Sequence, residues 1–390
     1  MNLDQGVNQL LSHRPVYDEE HAIFRETARR FAANEVAPHF QRWEAAGIVD
    51  RDYWKKGGDT GLLCPQTPEV YGGPGGDYRL NAIVVEELGY AGFAGPAADY
   101  SVHSDVCCGY LLSFGTEEQK RKWLPKMVAG DVVCAIAMTE PGTGSDLKGI
   151  RTRASREGGE FVVMGQKTFI SNGQLCDLVI VVARTGEDKE SSGMSLILVE
   201  TDRPGFRRGR NLDKLGHLSA DTSEMFFDGV RVPTTNLLGS EGQAMGMLMS
   251  ELPQERLTIA IQSISAAQKA FDITVAYVRE RKAFGAPIGS MQNTRFKLAD
   301  LKADLSVGWA FIDQCLGQHV KGKLSTFDAS TAKLWATEMH GRVVDQCLQF
   351  FGGYGFMREY EICRLYADAR VQRIYGGTSE IMRELISRNL

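Results

Sequence analysis

The sequence reads as a mainly α protein with a central β domain, in the order α, then β, then α. Three observations carry this reading. Apolar residues recur at helical spacing through residues 1–130 and again through 241–390. Between 131 and 240 the period shortens toward two, and β-branched and aromatic residues gather between Gly, Asn and Asp turns. The final stretch holds three or four long amphipathic segments with short joints, which implies a helical bundle.

The elements follow in order. Residues 17–46 carry a helical stripe of Ile23, Phe24, Ala28, Phe31 and Val36, with Asp18 as cap and Pro38 and Gly47 as punctuation. A breaker-rich loop, Tyr71–Asp77, precedes helical runs over 80–90, 99–114 and 117–127, the last opened by Thr116 as N-cap. Strands are expected at Phe161–Met164, Leu178–Ala183, Met194–Val199 and Met225–Phe227. Helices are expected at about 243–282, 292–320, 326–350 and 379–388.

Composition bounds the function. With 390 residues, 43% hydrophobic and 24% charged, the chain can bury a large core and has the make-up of a soluble globular protein. A net charge of −5 argues against non-specific nucleic-acid binding. The opening residues lack a basic stretch and apolar core, and no apolar run reaches membrane-spanning length, so a cytoplasmic protein without membrane insertion is expected. Cysteines at 64, 107, 108, 134, 176, 315, 347 and 363 form no C-x-x-C pair and sit near no histidine pair at zinc spacing. They read as small buried hydrophobes, and no metal site is expected.

The stretch Ser250–Ala260, S-E-L-P-Q-E-R-L-T-I-A, opens a long amphipathic run with an inner stripe of Leu257, Ile261, Ile264, Phe271 and Val275. Glu251 and Glu255 stand four apart, on one helical face. Pro253 between them is tolerated in a first turn, so the regular helix is expected to start close to it. Taken alone, Glu255 and Arg256 read as solvated first-turn residues. A general base is the sharper alternative.

A second stretch, Ala137-Met-Thr-Glu-Pro-Gly-Thr-Gly-Ser-Asp146, is dense in hydroxyls and in glycines whose freed backbone amides can approach a flat polar ring, although alone it reads as an ordinary surface loop. It has the spacing of neither a dinucleotide fingerprint nor a P-loop. It resembles the T-E-P-x-x-G-S-D signature of the acyl-CoA dehydrogenases. Further matches follow in family order: Gly165-Gln-Lys-Thr-Phe-Ile-Ser-Asn-Gly173, Phe227-Asp-Gly-Val-Arg-Val-Pro233, Arg281-Lys-Ala-Phe-Gly285, Met291-Gln292, Gln349-Phe-Phe-Gly-Gly353 and Ile374-Tyr-Gly-Gly-Thr378. The likeness spans nearly the whole chain.

The resemblance implies an N-terminal helical domain, a barrel-like middle domain and a C-terminal four-helix bundle. It implies FAD as cofactor and α,β-dehydrogenation of an acyl-CoA thioester. Met138, Thr139 and Ser145 would line the flavin and the thioester-bearing tail. Phe169, Ile170 and Ser171 would flank the flavin, with the hydroxyl near N5. Arg281, Phe284, Gln292, Gln349, Gly352 and Gly353 would hold the pyrophosphate and adenosine, in part across a subunit contact. Gly377 and Thr378 open the last helix, a natural site for polar groups, and Thr378 and Glu380 match the final cofactor-contacting positions. An electron-transfer flavoprotein as acceptor and a homotetramer are the family's usual partners.

One departure decides the chemistry. Many members keep their catalytic base, a glutamate, at the position of Gly376, where this chain has no carboxylate. The branch resembling the long-chain and isovaleryl dehydrogenases keeps it instead at the position of Glu255. Glu255 is therefore the expected base, with Glu251 one turn away as the fallback. Gly376, with Gly377, would still offer a backbone N–H to the thioester carbonyl, and Arg256 would pair with a carboxylate or lie close to substrate. Small residues at Ser101, Ser104, Cys107, Cys108 and Gly109 leave room for a long or branched acyl chain, or simply let helices pack closely. A flavin-dependent oxidase or monooxygenase, and a non-catalytic binding protein, are the alternative classes on this scaffold.

Overall fold

The computed structural model describes residues 14–185, 193–388 and 390. The opening segment from which a missing leader was read therefore lies outside the described residues. Helix α1 (Glu19–Phe31) starts at Asp18, whose carboxylate accepts the His21 amide in a capping box. The single helix expected over 17–46 is broken. After Phe31 the chain widens into a π-turn (Ala32–Val36) and re-enters α2 (Phe40–Ala46), which ends at Gly47 with φ +74°. Pro38 cannot donate the rung that would carry one helix through.

Helix α3 (Arg51–Asp59) escaped the sequence reading because its two glycines mask the periodicity, yet it buries Tyr53 and Trp54. Helix α4 (Tyr78–Tyr90) is capped by Asp77. Helix α5 (Ala94–Ser101), a π-helical stretch (Val102–Cys107) and α6 (Cys108–Phe114) follow without a break. Helix α7 (Glu117–Val128) is opened by a capping box of Thr116 with Gln119.

The middle region forms one eight-stranded sheet among the described residues. Its strands are β1 (Cys134–Ala137), β2 (Arg153–Glu157), β3 (Glu160–Ser171), β4 (Leu178–Arg184), β5 (Met194–Glu200), β6 (Phe206–Asn211), β7 (Thr222–Pro233) and β8 (Leu237–Leu238), ordered β6-β7-β3-β2-β4-β5-β8. β1 pairs in parallel with β4. Strands β2 and β6 were missed because their arginine-rich sequences lack an apolar alternation. Strand β4 is apolar on both faces. Val179, Val181 and Ala183 join one core, while Leu178, Ile180 and Val182 join the other.

The C-terminal third is built on α8 (Ala244–Glu280), which packs along α10 (Thr326–Phe351), with α9 (Gln292–Val320) and α4 beside it. A two-strand hairpin, β9 (Lys282–Ala283) and β10 (Ala286–Pro287), joins α8 to α9. Helices α11 (Glu361–Ala369) and α12 (Ser379–Ser387) close over α10. The expectation that the regular helix begins near Pro253 is corrected here: α8 begins at Ala244 and carries Pro253 in its interior. The ring removes one backbone rung, and packing along the rest of a 37-residue helix outweighs that loss. Glu251 and Glu255 are thus mid-helix residues, beyond the reach of the helix N-terminus. All eight cysteines are free, and seven are buried. No described helix is long and apolar enough to cross a membrane.

Candidate active site

Glu255 is 8% exposed, on the face of α8 that meets α6. Its Oε1 accepts a hydrogen bond of 3.1 Å from the phenol of Tyr110. Burial pushes its carboxyl up to about 7. The Tyr110 hydrogen bond opposes that shift, the Glu251 charge adds to it, and Arg256 opposes it. Glu251 is half-buried, and its own carboxyl is raised by burial. A methyl group added at Gly109 would stand 3.4 Å from Glu251 Oε2 and 3.5 Å from Gln254 Nε2, so α6 lies directly against this turn of α8.

Arg256, next along, is also buried. Its guanidinium reaches Ser330 Oγ on α10 at 3.4 Å rather than a carboxylate, and its Nε has no partner among the described residues. The residue points into the bundle because one step along a helix turns the side chain by about 100°.

Gly376 and Gly377 come to the same place from the far end of the chain. Both have positive φ, +64° and +97°. A Cβ on Gly376 would collide with Ile259 Cδ1, one turn beyond Glu255 on α8. Position 376 therefore lies against the turn of α8 that follows Glu255, and a side chain there would have to displace the end of Ile259. The Gly377 carbonyl accepts a 2.6 Å hydrogen bond from Lys333 of α10. Thr378 caps α12 by accepting the Ile381 amide. Glu380 is exposed and pairs loosely with Arg383 at 3.9 Å.

A second group gathers where β1 meets β3. Lys167 is buried and bonds both the Met138 carbonyl and Glu140 Oε1 at 2.9 Å. Glu140 in turn accepts the amides of Arg151 and Thr152. Thr168 N–H donates to the Thr139 carbonyl at 2.9 Å. These bonds hold Met138 and Thr139 beside Phe169, which sits on a register shift of β3 with φ +59° and is 67% exposed. A β-strand aromatic in the left-handed region, presented to solvent, is a costly arrangement. Ser171 is half-buried and Ser145 exposed. Ile170 turns the other way, into the core at 3% exposure, which leaves only its backbone facing the loop.

A third group lines one depression. Arg281, Gln349, Gly352 and Gly353 meet there with Tyr277 and Tyr354. Phe284 and Gln292 do not join it. Phe284 stands 99% exposed with φ +53°, and Gln292 is exposed at the start of α9.

Comparisons with known proteins agree along the chain. Family models described as "Acyl-CoA dehydrogenase" match as N-terminal domain over 18–131, middle domain over 135–230 and C-terminal domain over 242–390. The chain belongs to the acyl-CoA dehydrogenase family. It is 48% identical over 379 residues to the long-chain specific acyl-CoA dehydrogenase, mitochondrial, of Rattus norvegicus, covering 97% of this chain and 88% of that one. The crystal structure of an acyl-CoA dehydrogenase from Geobacillus kaustophilus superposes with a TM-score of 0.94 at 44% identity, covering 97% and 99% of the two chains. A glutaryl-CoA dehydrogenase from Mycobacterium smegmatis, solved in complex with FADH2, gives 0.91 at 28% identity and covers 98% and 97%.

Three residues that hold the candidate site residues by hydrogen bonds were not singled out from the sequence. Tyr110 is 145 residues from Glu255, and nothing local marks it. Lys167 lies inside a matched motif, but its partner Glu140 is 27 residues away and nothing in the motif marks the pair. Lys333 had a usable signal: it continues the buried stripe of Ala329, Ala332 and Ala336, where a lysine must find a partner.

Proposed function

We propose that the chain removes the α-proton and β-hydride of a long or branched acyl-CoA to give the trans-2-enoyl thioester, with Glu255 as base. The observation that carries this is the pairing of a buried carboxylate at 255 with a glycine at 376, which brings no carboxylate of its own and lies against Ile259 on the same helix. The α C–H bond breaks, its proton goes to Glu255, and its electron pair becomes the new double bond as the hydride leaves the β carbon. When bound, FAD supplies the acceptor for that hydride. The N–H of Gly376, on a turn tied down through Gly377, would stabilise the negative charge growing on the thioester carbonyl.

The residues fit the cofactor. Gly352 and Gly353 present bare backbone beside Arg281, with nothing within 4 Å of where a Cβ would stand, so phosphates can approach main-chain and guanidinium donors together. Phe169, Thr139 and Ser171 stand together where a flat ring would stack and accept hydroxyl donors. We assign Met138, Ser145, Ile170, Gln349, Thr378 and Glu380 to the same cofactor and thioester surface. Phe284 and Gln292, exposed here, fit a dinucleotide held between copies of the chain, which supports a homotetramer. An electron-transfer flavoprotein as acceptor follows from family membership, and eight free thiols fit a reducing compartment such as the cytoplasm.

The test is a visible spectrum before and after adding acyl-CoAs of graded length and branching. The parent should bleach, most with long or branched chains. Glu255→Gln should hold its flavin and not bleach; full bleaching by that variant reassigns the base.

A further inference from the structure

The helix carrying Tyr110 is re-phased just before it reaches the base. Helices α5 and α6 are joined by the π-helical Val102–Cys107, so the rod Ala94–Phe114 carries wider turns at its middle. Each extra residue taken up by such a turn rotates everything beyond it by about 100°. Tyr110 is the first aromatic side chain past this change of phase. It is fully buried, with its ring tilted against Phe114 at 6.1 Å and its hydroxyl 3.1 Å from Glu255 Oε1.

The turn of α8 that bears Glu255 is held from two further sides. Gln254 donates to the Asp105 carbonyl at 2.8 Å, inside the π stretch, and its Oε1 is 3.0 Å from His319 Nε2 of α9. Glu255 itself has Tyr110 on one oxygen, while the carboxylate's other oxygen is left for chemistry.

We propose that Tyr110 is the positioning residue of the base: its phenol holds Oε1 of Glu255 and so turns Oε2 toward the α-hydrogen of the acyl thioester. This rests on Glu255 being the base. The step it serves breaks the Cα–H bond, forms an O–H bond at Oε2 and leaves the electron pair for the Cα=Cβ bond as the β-hydride departs to FAD. The phenol donates better to a carboxylate than to a carboxylic acid, so it also favours the ionised form that can accept the proton. In a pocket whose burial works the other way, that donor keeps a useful fraction of the base ready at neutral pH.

The test is Tyr110→Phe in the FAD-loaded enzyme, with kcat/KM followed from pH 5.5 to 9. The acid limb should move up by about one pH unit, with about a tenfold loss below the limb, and the plateau at high pH should fall by a smaller factor because Oε2 is no longer held in line. Flavin content should be unchanged. An unmoved limb, or an equal loss at every pH, overturns the proposal. Should the Phe variant fail to fold, 3-fluorotyrosine at 110 strengthens the donor without changing the packing, and must move the limb down. Glu255→Gln separates the two ideas. If it still bleaches, the base assignment has failed. If it is inert while the limb of Tyr110→Phe stays put, only the role of Tyr110 has failed.

Discussion

The ammonium of Lys333 donates at 2.6 Å to the carbonyl oxygen of Gly377, and no part of the lysine side chain is exposed. A buried cation normally finds a carboxylate. Here it finds a main-chain oxygen in a turn of two glycines with positive φ. Burial pushes the lysine down to about 8, with Arg256 adding in the same direction and Glu338 and Glu380 opposing. The bond clamps the turn that brings Gly376 beside Glu255 onto α10.

Lys333→Met should keep the methylenes and lose the clamp. Leaving the Gly377 carbonyl without its partner costs about 1–3 kcal/mol. The sharper expectation is kinetic: if the Gly376 N–H serves the thioester oxygen as proposed, kcat should fall more than KM rises, because that donor counts most when charge grows there. Steady-state kinetics beside a thermal melt check both. A lower Tm with unchanged kcat would make Lys333 a matter of stability alone.

Gly376→Ala should be destabilising by about 1–3 kcal/mol, through strain at positive φ and contact with Ile259. Ile259→Ala opens the space and leaves the strain. The double variant should therefore recover only part of the loss, measured as a coupling in a two-mutation stability cycle. Strict additivity would mean that the Ile259 contact does not limit this position.

Stability should depend on pH through Glu255 with a definite sign. Burial raises its carboxyl from the ordinary value of 4.5 to about 7. Between those limits the folded chain holds a proton that the unfolded chain has released. Its favourable contribution is complete below pH 4.5 and is lost as the pH climbs through 7. Glu255→Gln has nothing to ionise, so its Tm should exceed the parent's at pH 8 and approach it at pH 5. Melts across that range decide the matter. A gap that does not widen with pH would show a base at ease in its pocket.

The layout of helices and strands was legible because it rests on periodicity. Capping at Asp18 and Thr116 was legible because the cap chemistry is local. What failed, failed for stated reasons. Two arginine-rich strands lack the apolar alternation that marks a half-buried strand. The local reading of Pro253 as a helix start failed, because a long helix can absorb one missing rung, while the run expected from about 243 matches the observed start at Ala244. The expected cofactor and thioester residues came from motifs in register, and the structure draws most of them into three groups. Their partners Tyr110 and Lys333 came from no motif, and Lys167 lay inside one without being singled out, because each acts on a residue distant in sequence and identified only by folding. Ile170 shows the limit from the other side. It sits within a motif, but strand alternation sends its side chain into the core.

Strand β4 has a further consequence. Leu178, Ile180 and Val182 belong to one apolar interior, and Val179, Val181 and Ala183 to the other. A single backbone thus serves as the wall between two oily rooms, and neither room can be opened without pulling down the partition. The N-terminal helices, the sheet and the bundle are thereby bound to melt together, and a defect on either side of that wall is felt where the carboxylate waits.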